Sequence, residues 1–169
     1  MTLIIQHSRY IITMLILATF LTSCVEQTEE KKMVVANTSN TTAFLNVMQK
    51  HLDAVSNRDL ETLKSTMAPN GKMQLILPQS EIFEGVDSFM DYHRAWFKDS
   101  LWTFETRILN TEVDQNLGMA ITEVVYREPE RNGEPYFNRM IVSYTLEKID
   151  DHWYIIKDHA SSVEKSTDK

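Results

Sequence analysis

The sequence holds one cysteine, four glycines and four prolines in 169 residues. A lone cysteine excludes an internal disulfide and any cysteine-based zinc site. So little glycine and proline excludes a fibrous or long disordered chain. Lysine and arginine nowhere cluster; acids outnumber them 24 to 17, for a net charge of −7. That balance excludes a nucleic-acid partner, which would demand grouped cations against phosphate; the acidity serves solubility. No H-x-x-x-H or H-E-x-x-H spacing occurs among the five histidines, so no metal is expected, and nothing in the sequence requires a cofactor. What is present is a 43% hydrophobic content, enough to build the core of one globular domain.

The N-terminus reads as an address. A polar stretch with one cation, Arg9, precedes the apolar run Tyr10–Leu21, broken only by Thr13 and Thr19. That run is too short to cross a bilayer, which takes about 20 residues, and suits the apolar region of a secretory signal. Leu21-Thr22-Ser23-Cys24 follows, and this resembles the lipobox of bacterial lipoproteins, in which the cysteine is lipidated and becomes the new N-terminus. Attached diacylglycerol and an acyl chain such as palmitate would supply more than one anchor, as stable membrane attachment requires. Residues 1–23 are therefore expected to be a lipoprotein signal peptide. Their removal takes away Arg9 and leaves −8 on the mature chain. Residues 24–42, polar and aperiodic, are expected to be the lipidated cysteine and a tether. Val25 gives no inner-membrane retention signal of the Asp type. The expected location is the bacterial cell envelope, at the outer membrane, on its periplasmic or surface side.

From Ala43 the pattern is helical: Phe44, Val47, Met48, His51, Leu52 and Val55 form one apolar stripe. Asn57 and Arg58 break it, and Asp59 caps a second helix over 59–67. Pro69-Asn70-Gly71 is a turn, and "KMQLILP" a strand ended by Pro78. A third helix over 86–98 carries Val86, Phe89, Met90, His93 and Phe97 on its stripe. After Ser100 four strands alternate: 101–113, 117–128, 136–149 and 152–162, with 129–135 as a loop and Asp150-Asp151 as a tight turn. Helices first and antiparallel strands after indicate an α+β fold with the helices on one face of the sheet. Residues 43–162 are expected to form the domain and 163–169 a polar tail.

Three pieces, "HLDAVSNRDLETLKSTMAPNGKMQLILP", "FEGVDSFMDYHRAWFKD" and "LEKIDDHWYIIKDHAS", resemble the nuclear transport factor 2-like superfamily, in particular its SnoaL-like branch. The resemblance covers roughly Thr42–Ser162. It implies a cone-shaped, strongly bent antiparallel sheet wrapped around the N-terminal helices, with a pocket at the wide end. Members include ketosteroid isomerases, dehydratases, cyclases and proteins that only bind or dimerise, so the resemblance does not settle activity. Ketosteroid isomerases use a Tyr and an Asp as oxyanion donors and a second Asp as base. The first strand here offers Lys72 and Gln74 but no acid, which argues against that mechanism.

Candidate chemistry gathers on imidazoles and aromatics. On a regular final strand His159 shares a face with Trp153, Ile155, Lys157 and Ser161, and Asp158 takes the opposite face with Tyr154, Ile156 and Ala160. Neighbours on opposite faces exclude a local Ser-His-Asp triad, unless a bulge near Asp158 upsets the assignment. His51 and His93 lie within helical stripes that would face the sheet, and His159 could project into the same space as a base near neutral pH. The blander reading, core histidines bonded to backbone carbonyls, is the stronger. Trp96 at a helix end and Tyr126 on a strand complete the set of ligand-binding candidates: His51, His93, Trp96, Tyr126 and His159. Arg107 and Glu123 are expected to pair across a hairpin, with the loop 128–134 a solvated run of charge. The expected function is a membrane-anchored, non-catalytic binding or assembly module. It would take a small apolar or aromatic ligand and pair as a homodimer through the sheet. The alternative is a SnoaL-like isomerase, dehydratase or cyclase using a His/acid pair without a cofactor.

Overall fold

A computed structural model describes residues 37–167, so the signal, Cys24 and the tether before residue 37 lie outside the described residues. Contacts divide the chain into two units, residues 1–39 and 40–169, and the second is the folded domain. Helix α1 occupies residues 37–56 and starts earlier than its apolar stripe. Helix α2 (Leu60–Ser65) is capped as its sequence predicts: the Asp59 side chain accepts from the Thr62 N–H at 2.9 Å. Strands β1 (Gln74–Ile76) and β2 (Ile82–Glu84) precede helix α3 (Val86–Trp96). Four long strands follow, β3 (Thr103–Val113), β4 (Leu117–Arg131), β5 (Glu134–Ile149) and β6 (His152–Lys165).

The sheet runs β2-β1-β6-β5-β4-β3, antiparallel except where β1 lies parallel to β6. Side chains alternate across it, and even-numbered residues of β5 from Tyr136 to Leu146 face inward. Against that inner face the α1 stripe of Phe44, Met48, Leu52 and Val55 is buried in one core with Val124, Tyr144, Leu146 and Ile155. The fold is thus α+β, with the helices on the concave side of one bent sheet.

Three features depart from the sequence reading. The short β2 has no periodicity of its own and exists because it can pair with β1, Leu75 opposite Phe83. Residues 129–135 are not a loop: β4 and β5 extend as a ladder to Arg131 and Glu134, closed by Asn132-Gly133 with φ of 57° and 90°. Two successive left-handed residues match the twist of a hairpin, and Asn-Gly adopts them with least strain. Finally, β6 carries an extra residue. Leu146 opposes Ile155 while Thr145 opposes Lys157, so Ile156 is bulged and the faces exchange from there to Ser162, where a further shift skips Val163.

Candidate functional site

That bulge decides what lines the cavity. Trp153 and Ile155 face inward before it; after it the inward residues are Asp158 and Ala160, while Lys157 and His159 are exposed. The regular-strand assignment of Asp158 and His159 is therefore reversed. A cavity of about 390 Å³ lies between α3 and the inner face of the sheet, with Leu75, Tyr92, Met140, Val142, Tyr144, Asp158 and Ala160 in its walls.

Asp158 stands directly opposite Tyr144 on β5 and Leu75 on β1. It is 8% exposed, and no hydrogen bond reaches its carboxyl among the described residues. Burial without compensation penalises the charged form and pushes its pKa up to about 7. Tyr92 is raised to about 12 by burial first and then by the charges of Asp158 and Glu81. Burial, and then Asp158, also raises Tyr144 well above its ordinary value. Both phenols stay protonated at neutral pH and remain hydrogen-bond donors.

His93 lines the same cavity. Its Nδ1–H donates to the Phe89 carbonyl at 2.9 Å, and burial lowers its pKa to about 4, so the ring is neutral with Nε2 as an acceptor. Trp96 is stacked on Trp102, with centroids 4.4 Å apart and 17° between planes. Arg58 holds that arrangement: its guanidinium lies 3.7 Å over the Trp102 ring and donates to the carbonyls of Asp99, Ser100 and Trp102.

At the hairpin end another bulge re-aims Arg131. Glu128 opposes Tyr136 whereas Arg131 opposes Glu134, so both Glu128 and Arg131 line the cavity. The Tyr126 hydroxyl donates to Glu128 Oε1 at 2.6 Å, Arg131 Nε donates to Glu128 Oε2 at 2.8 Å, and the guanidinium lies 3.4 Å over the Tyr136 ring. Hydrogen bonding from Arg131 holds Glu128 below the usual carboxylate range. Residues 129–134 are exposed, as a solvated run of charge would be, but Glu128 and Arg131 also line the cavity wall.

Of the five ligand-binding candidates, the structure brings His93, Trp96 and Tyr126 to the cavity. His51 is fully buried in the core instead. The Thr66 hydroxyl donates to the Leu63 carbonyl and its oxygen accepts from His51 Nδ1 at 2.9 Å, so Nε2 bears no proton and has no partner among the described residues. Burial, then the nearby His93, lowers the pKa of His51 to about 3. His159 lies on the outer face, opposite Ser143. The three imidazoles do not converge, and no group of metal-binding side chains occurs among the described residues. Arg107 and Glu123 form the expected pair at 3.0 Å, and Arg139 joins Glu123 at 3.6 Å, but on the outer face, away from the cavity. Asp158, Asn138, Glu128 and Arg131, with the phenols Tyr92, Tyr136 and Tyr144, are cavity residues that sequence reasoning did not select. For Asn138 a signal existed: in "YFNRMIVSY" it alternates in phase with Tyr136, Met140 and Val142, an amide on an apolar face.

The family model of the SnoaL-like domain matches residues 45–164. Among solved structures, a protein from Streptomyces avermitilis described as a dehydratase of the NTF2-like family superposes with a TM-score of 0.65 at 14% identity, over 75% of this chain and 98% of that one. A ketosteroid isomerase-like protein from Erwinia carotovora atroseptica gives 0.62 at 12% identity, over 73% and 95%. The association domain of C. elegans CaMKII gives 0.56 at 21% identity, over 75% and 98%. At these identities the likeness is one of fold, the NTF2-like cone. No curated protein matches the sequence significantly. No helix among the described residues is long and apolar enough to cross a membrane.

Proposed function

The chain belongs to the SnoaL-like domain family, and from that premise we propose that it is a cofactor-independent acid–base catalyst of the isomerase, dehydratase or cyclase type, with Asp158 as the proton-transferring group. One observation carries this reading: a carboxyl in a cavity wall, without a hydrogen-bond partner among the described residues, held near pH 7. A base is most effective when its pKa lies near the working pH, because it is then both available and strong enough. The preference for a non-catalytic module rested on the lack of an acid on the first strand. Asp158, beside that strand on β6, supplies one.

The chemistry follows from the groups present. The Asp158 carboxylate takes a proton from a carbon next to a ligand carbonyl, and the C–H electron pair moves into an enolate. Tyr144 or Tyr92 donates a hydrogen bond to the oxygen that gains charge. Where the ligand carries a β,γ-double bond, the carboxyl returns the proton to the γ-carbon of the dienolate and the double bond moves into conjugation. Where it carries a β-hydroxyl, the enolate collapses, the C–O bond breaks, and the hydroxyl takes the proton and leaves as water. The test is deuterium wash-in from D2O at the α-carbons of 2-tetralone, a neutral fused-ring ketone, followed by NMR. Exchange should accelerate as pH rises through about 7 and fall about 100-fold or more in Asp158→Asn. Exchange equal in the two proteins would return the chain to the binding-only reading.

The proposal includes a location and an assembly. Cys24 is the lipidation site that tethers the domain to the bacterial envelope, on the strength of the Leu21-Thr22-Ser23-Cys24 sequence. In cells fed labelled palmitate, Cys24→Ala should lose the label and leave the detergent phase on Triton X-114 partition; label retained by the variant would exclude this. A homodimer forms through the outer face of the sheet, where exposed Met119 and half-buried Ile121 and Ile141 lie among the charges of Arg107, Glu123 and Arg139.

A further inference from the structure

Asn138 is 6% exposed, lines the cavity, and has a carboxamide Oδ1 that is fully buried with no hydrogen-bond partner among the described residues. A buried amide left unpaired is unfavourable, and a fold that needed only packing would be served better there by leucine. A half-turn about the terminal bond exchanges the two ends of the amide, so it can offer the cavity either an acceptor or a donor. Its position is as informative as its chemistry. Asn138 and Tyr144 face inward on the same strand, six residues apart, with Met140 and Val142 between them and Asp158 opposite Tyr144. Six residues span about 20 Å of strand, which side chains reaching into the cavity shorten. The wall is therefore polar at the Asp158 end, apolar in the middle, and polar again at Asn138.

Charge narrows the ligand further. Among the described residues lining the hairpin end, the charged groups are Asp99, Glu128 and Arg131, beside the phenols Tyr126 and Tyr136, and Arg131 is already engaged by Glu128 and stacked on Tyr136. Among the described residues, an anionic ligand would meet a net negative lining with no free cation. We propose that Asn138 is the specificity residue of this cavity, and that it selects an uncharged, elongated ligand with an apolar body and a hydroxyl or carbonyl at the end remote from Asp158. The inference rests on the reading of the cavity as a ligand site. It adds which end of the ligand is read, and by what.

Rod-shaped phenols test it on the full chain by titration calorimetry. In the wild type, 4,4′-dihydroxybiphenyl should bind about tenfold more tightly than 4-hydroxybiphenyl, the worth of one well-placed hydrogen bond. The compound with a carboxylate in place of the second hydroxyl should bind more weakly than either. Asn138→Leu should abolish the tenfold advantage, leave the affinity for 4-hydroxybiphenyl unchanged, and raise the melting temperature. Asn138→Gln should restore part of the advantage, which a merely structural residue would not. If the second hydroxyl gives no advantage, or the advantage survives Asn138→Leu, the assignment to Asn138 is overturned. In that case, binding of 4-hydroxybiphenyl that still weakens in Asp158→Leu would keep the cavity reading intact. Failure of all three compounds to bind overturns both.

Discussion

Replacing Asp158 with asparagine should make the protein more stable above neutral pH and more sensitive to acid below it. The folded protein holds this carboxyl near pH 7, against about 4 in an unfolded chain. Between those values the folded state binds one proton more than the unfolded state, so this group makes stability fall as pH rises, by about 1.4 kcal/mol per pH unit. The penalty is complete above pH 7 and absent below about 4. His51 and His93 act in the opposite sense. Burial holds them near 3 and 4 against about 6.5 when unfolded, so between pH 5 and 6 the unfolded chain binds two protons more. Stability from these two rises with pH by about 2.8 kcal/mol per unit. In the wild type the carboxyl cancels one imidazole, leaving a slope of about 1.4; in Asp158→Asn the slope should double to about 2.8. At pH 8 the variant should be about 2–4 kcal/mol more stable, allowing for water admitted to the cavity. Urea unfolding followed by circular dichroism at half-unit steps from pH 5 to 8 measures all of this. Parallel curves for the two proteins would show that the carboxyl is not desolvated by the fold, and the argument for its proton-transfer role would fall with it.

Other perturbations follow from single contacts. A Cβ on Gly118 would lie 2.6 Å from Phe44 Cε2, with the ring already packed edge-on against Trp153; Gly118→Ala should cost about 1–3 kcal/mol in chemical unfolding. Arg58→Lys keeps the charge but loses the planar stack on Trp102 and the fork to three carbonyls. It should weaken ligand binding at Trp96 several-fold while lowering the melting temperature only slightly, as calorimetry would show. Thr66→Val removes the hydroxyl that accepts from His51 and donates to Leu63, with an expected loss of about 1–3 kcal/mol in urea unfolding. Ile141→Arg on the outer face should convert the proposed dimer to monomer in sedimentation velocity without altering the circular dichroism spectrum.

Much of the architecture is written locally. The α1 stripe, the Asp59 cap, the break at Asn57-Arg58 and the alternation of β3 to β6 are each set by residues within a turn or two of one another, which is why pattern and spacing reveal them. The pairing of Arg107 with Glu123 followed from the same alternation. Three of the five ligand-binding candidates came to the cavity for a similar reason: His93 and Trp96 occupy the inner stripe of α3, and Tyr126 the inner phase of β4.

His51 and His159 show where that reasoning stops. A stripe tells which face of a helix is buried but not whether a cavity or solid core lies against it, and His51 met the core. Face assignment on β6 needs its register against β5, and the inserted residue at Ile156 has no signature of its own in "WYIIKDHAS". It exists because Thr145 and Leu146 pair as they do. The bulge that turns Arg131 inward is likewise a property of two strands together. The sequence by itself determined the order and type of the long elements, though not the short β2, together with the lipobox-like N-terminus and the lack of metal-binding spacing, since all of these are set by near neighbours along the chain. Only the tertiary structure decided that Asp158 rather than His159 enters the cavity. A strand's faces have a period of two, so one bulged residue, fixed by a distant partner, exchanges every side chain beyond it.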